Sequence, residues 1–232
     1  ILISTMAGVN DEKPAHAAWP LPGVQPVLLT PEGKEITENE VEGLLCMKFP
    51  WPGMLRTTWG DHERCRQTYF SSYKGYYFTG DGAKRDADGR YRIIGRVDDV
   101  INVSGHRFGT AEIENAINQA KGVVESAVVG YPHDIKGQGI YAYVVCETPI
   151  PADDAQAMEN MRGEILEAVV AGIGRIAKPD KIQFVSGLPK TRSGKIMRRI
   201  LRKVAENELG SLGDTSTLLD PGVVEEITAG KL

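Results

Sequence analysis

The residues best suited to chemistry fall in four short runs. Leu188 to Arg199 (LPKTRSGKIMRR) places Lys195 directly after a glycine-bearing loop and at the start of a strongly basic amphipathic helix. A cation on such a loop can reach an anionic reacting group, a carboxylate or a phosphate. Thr79-Gly80-Asp81-Gly82 sets a carboxylate between glycines. That composition is first a turn, and second a place where an acid accepts hydrogen bonds from a ribose diol. Gly95-Arg96-Val97-Asp98-Asp99-Val100 offers Arg96 as a phosphate partner, against the plainer reading of a surface ion pair. In Ser104-Gly105-His106-Arg107, Gly105 admits close approach of a backbone or narrow ligand. Arg107 adds a bidentate phosphate donor, whereas His106 reads as structural. Singly each run is ordinary. Together they supply a ribose-type acid, two phosphate-type arginines and a loop lysine.

Simpler readings were weighed for the lysine run. Gly187 to Gly194-Lys195 looks like a phosphate-binding P-loop, but the glycines are too far apart and Ile196 stands where a hydroxyl should be. Arg198, Arg199, Arg202 and Lys203 read as a solvated helix face, with Ile196, Met197, Ile200, Leu201 and Val204 as its buried stripe.

The elements that must hold these runs change character near residue 98. Residues 1–97 are rich in strand and turn signals: Val24–Leu29, Gly43–Phe49 and a hairpin turning at Asp88-Gly89. Asp61 is placed to cap a short helix through Phe70. Residues 98–232 alternate helix and strand. A helix capped by Thr110 carries Ile113, Ala116, Ile117 and Ala120 on one face, and Asp153 or Asp154 starts a long helix with Met158, Met161, Ile165 and Val169 inward. Strands are expected at Val123–Val129, Ile140–Cys146 and Lys181–Val185, and a short helix after a polar tail. The fold class is α+β: a strand-rich portion followed by a small α+β domain. Asp98 stands at the junction, where a hinge would absorb a φ/ψ change.

The composition, 41% hydrophobic and 25% charged with net charge −4 over 232 residues, is that of an ordinary globular chain and disfavours bulk nucleic-acid binding. No apolar run approaches a membrane span. Three scattered cysteines and four histidines form neither a disulfide framework nor a zinc cluster, which fits a reducing, cytoplasmic setting. The final Gly-Lys-Leu is only loosely like a peroxisomal address. A start at Ile-Leu-Ile-Ser-Thr-Met reads as the middle-to-end of a longer protein.

In order and wording, the four runs resemble the adenylate-forming acyl-CoA synthetases, and within them the acetate-activating members. Gly60-Asp61-His62-Glu63-Arg64, Gln67-Thr68-Tyr69-Phe70, Gly80-Asp81-Gly82-Ala83, Asn102 to Arg107, Leu188 to Lys203 and the tail Leu212-Gly213-Asp214-Thr215-Ser216-Thr217-Leu218 carry the likeness, which covers nearly the whole chain. The resemblance implies the strand-rich end of a large adenylating domain, then a small mobile C-terminal domain. It implies a two-step reaction: acetate and ATP give acetyl-AMP and pyrophosphate, then CoA displaces AMP. By the same resemblance Asp81 binds the AMP ribose, Arg96 and Arg107 serve ribose or phosphate, and Lys195 stabilises the adenylation transition state. Asp98 is the hinge, and Ser104-Gly105 lines the CoA tunnel. Lys195 is the site of reversible acetylation by a protein acetyltransferase and deacetylase. Magnesium (Mg2+) accompanies ATP, and a further metal sits at carbonyls near Asn118 and Val123.

The sequence departs from that pattern twice. Val170 stands where the family has an arginine for the CoA 3′-phosphate, with Arg175 five residues on, and Ala120 replaces a histidine at the metal site. The family's Ser/Thr/Gly-rich phosphate loop and acid pocket would lie before Ile1, so the chain alone is expected not to form acetyl-AMP. Two other readings remain: a propionyl or other short-chain acyl-CoA synthetase, and a non-catalytic module whose basic helix binds nucleic acid or protein, its signature being salt-sensitive binding.

Overall fold

The computed structural model describes residues 2–151, 153–213 and 215–232, so Ile1, and Asp214 of the tail run, lie outside it. The chain divides into two compact units, Ile1–Asp98 and Asp99–Leu232.

In the first unit, short runs of alternating apolar residues pair into an antiparallel sheet of order β2-β1-β3-β4-β5. The strands are β1 (Pro26–Leu29), β2 (Glu35–Ile36), β3 (Val41–Met47), β4 (Tyr77–Arg85) and β5 (Tyr91–Arg96). Leu28, Leu45, Met47, Ala83 and Tyr91 form its buried core. Helix α1 (His62–Phe70) starts where expected: Asp61 accepts a hydrogen bond from the Arg64 amide at 3.0 Å. Its last turn delivers Tyr69 and Phe70 onto Tyr77.

The second unit is built on two long strands, β8 (Val123–His133) and β9 (Gly137–Cys146), paired antiparallel along nearly their whole length. Strand β10 (Lys181–Phe184) adds to β9 in parallel, and the hairpin of β6 (Val100–Val103) and β7 (His106–Gly109) attaches at Gly137. Both faces of the sheet are covered, which is why β8 and β9 read as continuous apolar runs. Val128, Ile140, Ala142 and Val144 face α2 (Thr110–Ile117) and α3 (Ala155–Gly172). Ala127, Val129, Tyr141 and Tyr143 face α4 (Arg198–Ala205) and α5 (Gly222–Ala229). The alternation is the period-2 register of a strand. Asp154 caps α3 through the Ala157 amide at 2.9 Å.

The β6–β7 hairpin is an element the sequence does not announce, and three expectations need correction. Thr110 is the first helical residue rather than the cap, because the extended Gly109 precedes it without a side-chain bond, and α2 ends at Ile117. Met158 is only half-buried and outside the core cluster, because the apolar face of α3 engages the sheet from Met161 onward. The basic helix begins at Arg198, so Lys195 belongs to the preceding turn. Among the described residues no helix is long and apolar enough to cross a membrane.

Candidate functional site

In the first unit the structure brings three of the proposed site residues together. Asp81 on β4 is the direct cross-strand partner of Arg96 on β5. The Thr79 hydroxyl fixes the strand there: it donates to the Leu45 carbonyl at 2.9 Å and accepts from the Asp81 amide at 3.1 Å. The Arg96 guanidinium lies over Gly80. It donates through Nη1 to the Thr79 carbonyl at 3.1 Å, stands 3.7 Å from Asp81 Oδ1, and donates through Nε to Asp98 Oδ1 at 2.9 Å. Gly80 has φ of +78°, and a Cβ there would stand 2.6 Å from Arg96 Nη1. The positive φ demands glycine, and any larger residue would also push the Arg96 guanidinium off this turn. The cluster presents a carboxylate beside a guanidinium, both partly open to solvent, an arrangement able to hold a diol and a phosphate of one ligand.

Asp98 and Asp99 are tied to different partners. Asp98 closes the Arg96 cluster as the last residue of the first unit. Asp99, in the same 3-10 turn (Val97–Asp99), accepts from Arg202 Nη2 of α4 at 2.9 Å inside the second unit. The junction between adjacent aspartates therefore has an anchor on each side.

In the second unit, Ser104 and Gly105 form the two-residue turn of the β6–β7 hairpin, with φ of +50° and +85°. Positive φ at both positions is the hairpin turn that matches strand twist. A Cβ on Gly105 would meet nothing within 4 Å, so the tip is open to a ligand. The Ser104 amide is held by the Lys136 carbonyl at 2.9 Å. Arg107 is exposed on β7 opposite Asn102.

Lys195 sits on a tight ribbon. Thr191 donates its amide to the Lys195 carbonyl at 2.9 Å, Gly194 donates to the Thr191 carbonyl at 2.8 Å, and the Lys195 amide donates to the Thr191 hydroxyl at 3.2 Å. Lys190 pairs with Ile196 across it, and Lys190 Nζ contacts Glu125 of β8 at 2.6 Å. The Lys195 side chain is exposed, and among the described residues no hydrogen bond or ion pair engages its ammonium. Nothing bonds Lys195 to Arg107 or to Ser104-Gly105 among those residues.

The helix cations are not a solvated face. Arg198 makes a two-point pair with Glu114 of α2, at 2.6 and 3.1 Å, and Glu114 also accepts from the Val128 amide at 2.9 Å. Burial pulls the Arg198 pKa down, but hydrogen bonding and charge from Glu114, with Asp99 adding, raise it above the usual guanidinium value. Arg202 holds Asp99, Arg199 donates to the Leu212 carbonyl, and Lys203 pairs with Glu208. Sequence reasoning missed this because Glu114 lies 84 residues away, one position off the apolar stripe of α2. The available signal was the i, i+4 spacing of Arg198 and Arg202.

Near the carbonyls proposed to hold a metal, Asn118 Oδ1 accepts from the Ser126 hydroxyl at 2.8 Å and the Val123 amide donates to the Ala120 carbonyl at 3.3 Å. Among the described residues no group of three His, Cys, Asp or Glu could hold a metal ion. Ala120 is buried against the core.

A groove of about 520 Å³ runs along α3, with Leu166, Val170 and Ala171 beside Glu167, Arg175 and Lys178. It contains both Val170 and the arginine that follows it.

Comparison with known proteins fits this geometry. Residues 112–195, from α2 to the lysine, match the AMP-binding enzyme C-terminal domain. By this match the chain carries an AMP-binding enzyme C-terminal domain. The whole chain is 59% identical to the acetyl-coenzyme A synthetase of Saccharophagus degradans, covering 35% of that protein. It spans about a third of the length of the curated relatives it matches. The acetyl-coenzyme A synthetase of Brucella canis is 59% identical over 98% of the chain and covered over 34% of its own length. Among solved adenylate-forming structures, an anthranilate CoA ligase in complex with anthranoyl-AMP matches 90% of the chain, and 38% of its own, at 28% identity with a TM-score of 0.75. ATP-bound MatB from Rhodopseudomonas palustris matches 87% of the chain, and 38% of its own, at 28% identity and TM-score 0.71.

Proposed function

We propose that this chain supplies the nucleotide-side edge and the mobile C-terminal domain of an AMP-forming acetate–CoA ligase. The observation that carries the reading is Lys195: an exposed ammonium without a partner among the described residues, on a loop held by hydrogen bonds from the Thr191, Arg192, Gly194 and Lys195 amides. Such a cation is kept for a charge brought by a substrate. In adenylation the acetate carboxylate attacks the α-phosphorus of ATP, and pyrophosphate leaves. Negative charge concentrates between carboxylate and α-phosphate, where a positioned ammonium stabilises the transition state more than the ground state. Mg2+ enters with ATP, as part of the substrate.

Asp81 takes the ribose hydroxyls and Arg96, beside it, the ribose or phosphate. Arg107 serves the phosphate from the second unit. The junction at Asp98 and Asp99 is the pivot between half-reactions, because its two carboxylates are anchored to different units. In the second half-reaction the CoA thiol attacks the acyl carbon and AMP leaves, with the open Ser104-Gly105 turn along the CoA path. Arg175 and Lys178 at the α3 groove take the CoA phosphate that Val170 cannot. Acetylation of the exposed Lys195 by a protein acetyltransferase would remove the charge and stop the first step, and a deacetylase would restore it. Three free cysteines support a reducing, cytoplasmic setting.

The test joins this chain to the upstream portion of the Saccharophagus degradans relative and measures pyrophosphate exchange into ATP. Acetate-dependent exchange should appear in the joined enzyme and be absent from the upstream portion alone. No exchange in the joined enzyme, or equal exchange without this chain, contradicts the reading.

A further inference from the structure

The ribbon that carries Lys195 is completed from far along the chain. Leu219 donates its amide to the Lys190 carbonyl at 2.8 Å, Arg192 donates to the Thr217 carbonyl at 3.3 Å, and Thr191 and Leu218 face each other as an antiparallel bridge. Residues 217–219 thus form a third strand on the outer edge of the Lys195 turn. A two-stranded ribbon this short is at best marginally stable in water, and a third strand with an apolar anchor changes that. The anchor is Leu218. Its side chain is buried with Ile200 and Val224, against Met197 and Leu212. The cluster links the strand to α4, which follows Lys195, and to α5. The side chain of Leu219 points away and is 66% exposed, so its role in the ribbon is its backbone N–H.

We infer that residues 217–219 are a positioning element for Lys195, aiming an ammonium that has no partner of its own by fixing the backbone beneath it. The inference rests on the proposed role of Lys195 in adenylation. A lysine held only through its backbone is as well placed as its loop is rigid. A misplacement of about 1 Å at a reacting centre can cost about a hundredfold in rate. Loss of the strand should therefore slow the half-reaction that uses Lys195 and spare the one that does not.

Leu219→Pro deletes the N–H donated to Lys190, and Leu219→Ala keeps it. Hydrogen exchange on the chain itself reads the loop directly, without any activity. The Thr191 amide should exchange at least about tenfold faster in Leu219→Pro and stay protected in Leu219→Ala. In the joined enzyme described above, Leu219→Pro should slow adenylation by about tenfold or more, while thioester formation from supplied acetyl-AMP and CoA stays within about twofold. Leu218→Ala, which leaves every backbone bond possible, should shift both readouts the same way by a smaller factor. It carries the test if the proline variant fails to fold. Unchanged exchange at Thr191, or adenylation and thioester formation falling in step, would overturn the inference. Failure of the underlying reading shows separately, as Lys195→Ala retaining adenylation.

Discussion

The pair between Glu114 and Arg198 gives the sharpest stability prediction. Glu114 is buried, and its carboxylate serves three donors: Arg198 Nε, Arg198 Nη2 and the Val128 amide in the middle of β8. Glu114→Ala orphans the Val128 N–H inside the core, worth about 1–3 kcal/mol. It also strips the guanidinium of its two-point partner. Arg198 keeps about a quarter of its side-chain exposure, so water recovers part of that loss. The sum is about 3–4 kcal/mol, within the range for breaking one side of a buried pair. Glu114→Gln retains an acceptor for Val128 and should cost about 1–2 kcal/mol. Arg198→Met should cost about 3 kcal/mol by leaving a buried carboxylate, whereas Glu114→Leu with Arg198→Met should cost clearly less than the two single losses together, keeping only the about 1–3 kcal/mol of the orphaned Val128 N–H. The three tryptophans, Trp19, Trp51 and Trp59, and five of the eight tyrosines lie in the first unit, so urea unfolding of the second is followed by loss of amide protection along β8 and β9. The midpoint should fall with an unchanged slope. Single substitutions each costing under about 1 kcal/mol, or a double variant as weak as their sum, would refute the reasoning.

Gly80→Ala forces a Cβ to 2.6 Å from Arg96 Nη1 at positive φ. It should cost about 1–3 kcal/mol by urea unfolding and weaken AMP binding measured by calorimetry. Arg202→Ala frees Asp99 and should speed limited proteolysis at the 98–99 junction, with a mass-mapped cut there. Burial pushes the Cys46 thiol from 9.0 up to about 12, so the folded chain should resist iodoacetamide at Cys46 at pH 8.5 by mass spectrometry. Because its folded pKa is the higher one, this thiol lowers stability only as pH rises above about 9, where the unfolded chain ionises first.

Elements whose physics is local were legible in the sequence. Asp61 could be read as a cap, and the start of α3 narrowed to Asp153 or Asp154, because capping is settled within three residues. Asp88-Gly89 marked its hairpin, and the stripe Ile200, Leu201, Val204 is buried as its spacing demanded. The four chemical runs were also legible as residues. Their surroundings were not. The partner of Arg198 comes from another helix, that of Arg202 from the unit junction, and the third strand of the Lys195 ribbon from residues 217–219. Strands of three residues carry no usable period, and ion pairs across a fold leave no mark in either partner's neighbourhood. The β6–β7 hairpin was hidden because Ser104 adopts a positive φ that its residue type seldom signals.

The central claim is that Lys195 serves one half-reaction only. The direct measurement is Lys195→Ala in the joined enzyme, with adenylation followed by pyrophosphate exchange and thioester formation followed from supplied acetyl-AMP and CoA. Adenylation should fall by about a hundredfold to a thousandfold, the scale for removing one charge-stabilising donor, with thioester formation nearly intact. Equal loss in both half-reactions would contradict it.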